Sequence, residues 1–133
     1  MASYPYTAGL TLLIVLLMFG TASNVGYARG RYGVKAPAVS GHPMFERALR
    51  IQMNTLEWTL MTLPCMWLFA AYLSDTWAAG IGGFWLAARI AYAILYQRDP
   101  ARRGTPFLLS SLAFGALGLG AGYGVLRALW LAA

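Results

Sequence analysis

The run FERALRIQMNTLEW, residues 45–58, places Arg47, Arg50, Gln52, Asn54 and Glu57 in a chain that is otherwise strongly apolar. Charged and amide groups inside hydrophobic segments are costly and mark sites with a task. At about 100° per residue, Arg47, Arg50, Asn54 and Glu57 share one helix face, while Gln52 points nearly the opposite way. A second run, ARIAYAILYQRDPARR, spaces Arg89, Tyr92 and Tyr96 along one stripe. Arg103 joins that stripe if helicity continues past Asp99, which can cap a new turn, and Pro100, which lacks a donor. Guanidinium, amide, carboxylate and phenol groups gathered this way suit a small ligand with several anionic groups and one cationic group. Taken singly, the same residues also suit interfacial anchors, or an ion pair of Glu57 with Arg50 or Arg89. Because one helix cannot satisfy polar groups on two sides against one partner, a site shared between neighbouring chains of an oligomer is expected.

Helices in a membrane must carry these groups. Of 133 residues, 59% are hydrophobic and 11% charged, outside the usual range of soluble domains. The expected fold is a single all-α integral membrane domain, residues 1–133, with four transmembrane helices in a bundle. The first span, 5–28, holds LTLLIVLLMF and no charge. The second, 45–73, exceeds the ~20 residues that a span needs and contains Pro64 as a candidate kink. The SDT turn then offers Ser74 or Asp75 as a cap for the third span, 76–98. The fourth, 106–131, carries FGALGLGAGYG, glycine-rich as where membrane helices approach closely.

Ten basic and four acidic side chains give a net charge of +6. The cations gather mainly in two segments between apolar runs, residues 29–44 and 98–104. That is the pattern of cytoplasmic loops beside anionic lipid, and it sets both termini on the opposite side of a multi-pass protein. A bacterial inner membrane is the expected setting. No basic surface interleaved with stacking aromatics is present, so nucleic-acid binding is not expected. Cys65 is the only cysteine, which rules out an intrachain disulfide, and His42 is the only histidine, which argues against a metal site.

The F-E-R-x-x-R-x-Q-x-N-x-x-E run of residues 45–57, followed by A-R-x-x-Y-x-x-x-Y at 88–96, resembles the MAPEG family. These are the membrane-associated proteins in eicosanoid and glutathione metabolism, including microsomal glutathione transferases and leukotriene C synthases. The resemblance covers nearly the whole chain. It implies a homotrimer of four-helix subunits, with glutathione as co-substrate held between adjacent subunits near the cytoplasmic face. By the same resemblance, Arg50, Asn54 and Glu57 contact glutathione and Gln52 approaches from the facing chain. Arg29, Tyr92 and Tyr96 add contacts, and Trp58 stands where some members carry a tyrosine, keeping its stacking role. Arg103 falls at the position of the arginine that holds the sulfur as thiolate in leukotriene-forming members. The implied function is a glutathione-dependent membrane transferase acting on a lipophilic electrophile, with lipid hydroperoxide reduction as a second activity. A non-catalytic lipid-binding or scaffold member of the same fold is the alternative. A small transporter fits less well, because ionisable residues near mid-membrane are confined to the second and third spans.

Overall fold

A computed structural model describes residues 2–133. The chain forms four long helices, α1 (Pro5–Tyr32), α2 (Pro43–Tyr72), α3 (Asp75–Arg98) and α4 (Gly104–Ala132), with a 3₁₀ turn at Pro100–Arg103. Helix α1 runs past the end expected at residue 28, so Arg29 and Arg31 lie in its last turn rather than in the following loop. Their charges complement the negative end of the helix dipole there. Gly33, with φ of 69°, then closes the helix in the left-handed conformation that glycine adopts without penalty.

The helix ends are capped by residues the chain brings from elsewhere. At the start of α1, Tyr4 makes no side-chain cap. The Asp75 carboxylate does so instead, accepting from Tyr6 N at 3.1 Å and Thr7 N at 2.9 Å. Ser74 is left to cap α3, accepting from Trp77 N at 3.2 Å. The two neighbouring residues therefore cap two different helices. The lone histidine is also a cap: His42 Nδ1 accepts from Met44 N at 3.1 Å, and its ring stacks on Tyr32 at 4.1 Å. Helix α2 passes through Pro64 unbroken.

Among the described residues, three segments are long and apolar enough to cross a membrane: α1, α3 and Pro100–Ala132. Helix α2, with 30 residues, is the longest helix but is not among them. The polar side chains at 46–57 lower its hydropathy below that of its neighbours. This helix contacts the other three, and together with α3 it forms the centre of the bundle. Helix α1 packs on that pair from one side and α4 from the other. The core between them holds Ile14, Met66, Trp85 and Leu117, all fully buried. Large apolar side chains such as Leu12, Phe19, Leu119 and Trp130 face outward, as a lipid-exposed surface requires.

Close approach in this core depends on Gly82. A Cβ added there would sit 2.6 Å from both Leu10 Cδ2 and Met66 Sδ, each on a buried residue of a neighbouring helix. Gly82→Val is expected to destabilise the fold by roughly 1–3 kcal/mol through overpacking. Gly80→Val is the control, since an added Cβ at that position meets nothing within 4 Å. Thermal unfolding in detergent reads both, and equal midpoints for the two variants would remove the argument.

Candidate functional site

At the end of the bundle that carries both basic segments lies a cavity of about 340 Å³. It is lined by Arg50 and Asn54 of α2, Tyr92 and Tyr96 of α3, Arg103 of the 3₁₀ turn, and Gly104 and Phe107 of α4. Arg103 reaches this cavity although α3 does not continue to it. Helix α3 ends at Arg98, and the Asp99 carboxylate accepts from Ala101 N at 3.1 Å to begin the tighter turn. That turn folds Arg103 back over the Tyr96 ring, 5.3 Å from its centroid, and Arg103 Nη1 donates to Pro100 O at 2.7 Å. The Tyr92 and Tyr96 rings meet edge to face at 5.5 Å. Two guanidinium groups, one amide and two phenols thus border one space whose wall includes no carboxylate. Such a space favours an anion.

Beneath the wall lies Arg89, fully buried. Its Nη2 donates to Asn54 Oδ1 at 2.9 Å and to Thr55 Oγ1 at 2.9 Å, and its guanidinium stands 4.1 Å from the Tyr92 ring centroid. Arg89 therefore takes an amide, a hydroxyl and a ring as neighbours rather than Glu57. A guanidinium only donates, so Asn54 must turn its oxygen toward Arg89 and keep its NH₂ group for the cavity. Arg89 Nε and Nη1 have no hydrogen-bond partner. A buried cation left partly unsatisfied keeps a positive potential behind the cavity wall, offset in part by the Tyr92 ring.

The remaining candidate residues lie elsewhere on this chain. Glu57 is exposed on the Arg50 face, two turns along α2, or about 10 Å away by helical rise. Trp58 stands between α2 and α4, edge-on to Phe107 and to Phe114, each at 5.4 Å. Gln52 is half-buried on the other side of α2, about 160° around the helix from Asn54. On that side α2 meets α1, where Thr59 Oγ1 approaches Met18 Sδ at 3.3 Å. Arg29 lies there too, with its guanidinium 4.7 Å from the Phe45 ring centroid and Nη1 donating to Ala38 O at 2.7 Å. The candidates fall into an α4-side set and an α1-side set that no single copy brings together.

Arg47 differs from what its place at the start of α2 suggests. It is half-buried rather than freely solvated, and Nη1 donates to Gln97 O at 3.1 Å and to Arg98 O at 3.4 Å. It thus caps the C-terminus of α3. Gly104 and Phe107 were not legible as cavity residues, because nothing in their local sequence indicates where α4 leans on Tyr92. Arg89 was visible on the Tyr92 stripe, but its contact with Asn54 required the α2–α3 approach. Among the described residues, no group of three or more His, Cys, Asp or Glu side chains is placed to hold a metal ion.

Comparison with known proteins follows the same lines. The MAPEG family model matches residues 7–123. An uncharacterised protein of Synechocystis is 43% identical over 125 residues, covering 94% of this chain and 89% of its own length. Mouse leukotriene C4 synthase is 36% identical over 118 residues, covering 84% of this chain and 79% of its own. A probable microsomal glutathione S-transferase of Dictyostelium discoideum is 29% identical over 125 residues, covering 90% and 84%. With the family model extending over most of the chain and these relatives aligned along most of their lengths, this membrane protein belongs to the MAPEG family.

Proposed function

We propose that this chain is a glutathione-dependent membrane transferase, working as a homotrimer of four-span subunits with the site between adjacent copies. The observation that carries this reading is the division of the polar residues into two sets on opposite sides of one subunit. One copy contributes Arg50, Asn54, Glu57, Trp58, Tyr92, Tyr96 and Arg103, and its neighbour contributes Arg29 and Gln52. The relatives named for glutathione transfer and leukotriene C4 synthesis support the same co-substrate.

The chemistry follows from the groups. Glutathione carries two carboxylates, which the Arg50 and Arg29 forks take through charge-assisted bonds. Glu57 takes its ammonium group, the Asn54 and Gln52 amides take its peptide groups, and Tyr92 and Tyr96 donate hydroxyls. Arg103 faces the thiol. A free thiol has a pKa of about 8.5, and bringing it to about 7 needs roughly 2 kcal/mol of preferential thiolate stabilisation. A guanidinium in a site shielded from water supplies that much. The proton leaves to solvent, the thiolate sulfur attacks an electrophilic carbon arriving through the bilayer, and the displaced group departs with the electron pair. With a lipid hydroperoxide, two thiols become a disulfide while the O–O bond splits to an alcohol and water. The basic segments 29–44 and 98–104 then face the cytoplasm of a bacterial inner membrane.

Titration of the detergent-solubilised protein with glutathione, read by thiolate absorbance and by mass in mild detergent, tests both halves of the proposal. The expected result is a trimer that ionises bound glutathione at neutral pH and conjugates a lipophilic electrophile. Binding without ionisation or turnover would assign the chain to the lipid-binding, non-catalytic class. A stable monomer that binds glutathione fully would remove the shared site.

A further inference from the structure

A second, larger cavity shares no lining residue with the one just assigned to this chemistry. It is a groove of about 530 Å³ between the outer faces of α1 and α3, floored by Ile51 of α2. Helices α1 and α3 both run toward the end that carries the basic segments, so the groove has a direction. Its deep part is formed by Leu16 and Leu17 of α1 and Ile90 of α3, and its mouth by Asn24, Gln97 and Arg98. From Leu16 to Asn24, and from Ile90 to Arg98, the helical rise is about 12 Å. Apolar walls thus give way to two amides and a guanidinium over the depth at which acyl chains give way to headgroups.

This groove is separate from the candidate active site. On α3, Ile90, Ile94 and Gln97 point to the side of the helix opposite Tyr92 and Tyr96, so α3 stands between the two cavities.

We infer that the α1–α3 groove is a binding site for one anionic phospholipid of the leaflet at the basic end, with an acyl chain along Leu16 and Ile90 and its phosphate on Arg98. Charge selects this occupant. Arg98 is exposed at the mouth, and its sequence neighbour Asp99 is turned away to accept from Ala101 N at 3.1 Å. No acidic side chain lines the groove. A guanidinium at headgroup depth binds phosphate oxygens through two parallel hydrogen bonds. A second copy of this chain is a poor alternative, because it offers four acidic side chains against ten basic ones, and Asp75 and Asp99 are already used as caps. Arg47 secures the geometry by holding the Gln97 and Arg98 carbonyls, which keeps the last turn of α3 in place beneath the phosphate.

Gly20 lines the groove, and a Cβ added there meets nothing within 4 Å, so the space can be filled without disturbing the fold. The test uses the full-length protein in lipid nanodiscs or mild detergent, with retained lipid counted by native mass spectrometry. The probes are phosphatidylglycerol and phosphatidylcholine of identical acyl chains. Wild type is expected to retain one phosphatidylglycerol per chain in preference to phosphatidylcholine by about fivefold, the effect of one basic residue at the membrane surface. Arg98→Glu should abolish the preference while leaving the helix content unchanged, and Gly20→Leu should lose both lipids. Equal retention of the two headgroups by wild type, or undiminished retention by Gly20→Leu, overturns the inference. A change in assembly mass in Gly20→Leu with no change in lipid count would assign the groove to a second copy instead.

Discussion

Arg103→Ala is expected to lower turnover at neutral pH by roughly tenfold to thirtyfold, the ratio of thiolate at a pKa near 7 or below to that of an unassisted thiol near 8.5. Glutathione affinity should change much less, because the proposed function assigns the carboxylates and the ammonium group to Arg50, Arg29 and Glu57. Activity should recover as pH rises toward the ordinary thiol pKa, where ionisation needs no help. The neighbouring Arg102→Ala is the charge-matched control. Arg102 lies in a separate depression with Ala88, Leu95 and Thr105, whereas Arg103 leans over Tyr96 in the cavity with Arg50 and Asn54. Initial rates across pH, together with thiolate absorbance of the bound co-substrate, measure the effect. Identical behaviour of the two variants, or normal turnover by Arg103→Ala at pH 7, would make Arg103 an interfacial anchor and leave Arg29 and Tyr96 to stabilise the sulfur.

Arg50→Ala and Glu57→Ala are each expected to weaken glutathione binding by roughly 2–5 kcal/mol, since in the proposed site, closed by a neighbouring copy, each would strip a charged group of the ligand of its partner. Arg50 lines the cavity and Glu57 lies two turns along the same exposed face, a separation that suits the two ends of the extended ligand proposed above. Arg47→Ala separates binding from folding. Its guanidinium is committed to the Gln97 and Arg98 carbonyls, so its loss should loosen the end of α3 and lower the unfolding midpoint before it lowers affinity. Calorimetric titration with glutathione, paired with thermal unfolding, distinguishes the two kinds of damage. Unchanged affinity in both Arg50→Ala and Glu57→Ala would mean that these charges serve only the fold.

Much of the candidate site was written into local spacing. A helix repeats every 3.6 residues whatever it packs against, so the common face of Arg50, Asn54 and Glu57, the contrary direction of Gln52, and the Arg89–Tyr92–Tyr96 stripe follow from residue numbers alone. The apolar runs likewise determine where long helices form, because backbone groups in a membrane must be satisfied within their own segment. What spacing does not contain is how one helix meets another. Arg103 was placed on the Tyr96 line by supposing a continued helix, yet it arrives there through a break and a 3₁₀ turn begun by Asp99. Arg47 shares the Arg50 face by spacing, yet its guanidinium is taken by the end of α3. Asp75 looked like a cap for the helix it begins, but the fold brings it to the start of α1. The same holds for Arg89, whose grip on Asn54 sets which end of that amide faces the cavity. Each of these contacts joins residues 34 to 69 positions apart, or bridges a break in helical phase. They depend on which side chains leave room for close approach, as Gly82 does beneath Leu10 and Met66. Helical period is a property of one segment, whereas close approach belongs to the side-chain volumes of several segments at once, which only the assembled bundle brings into contact.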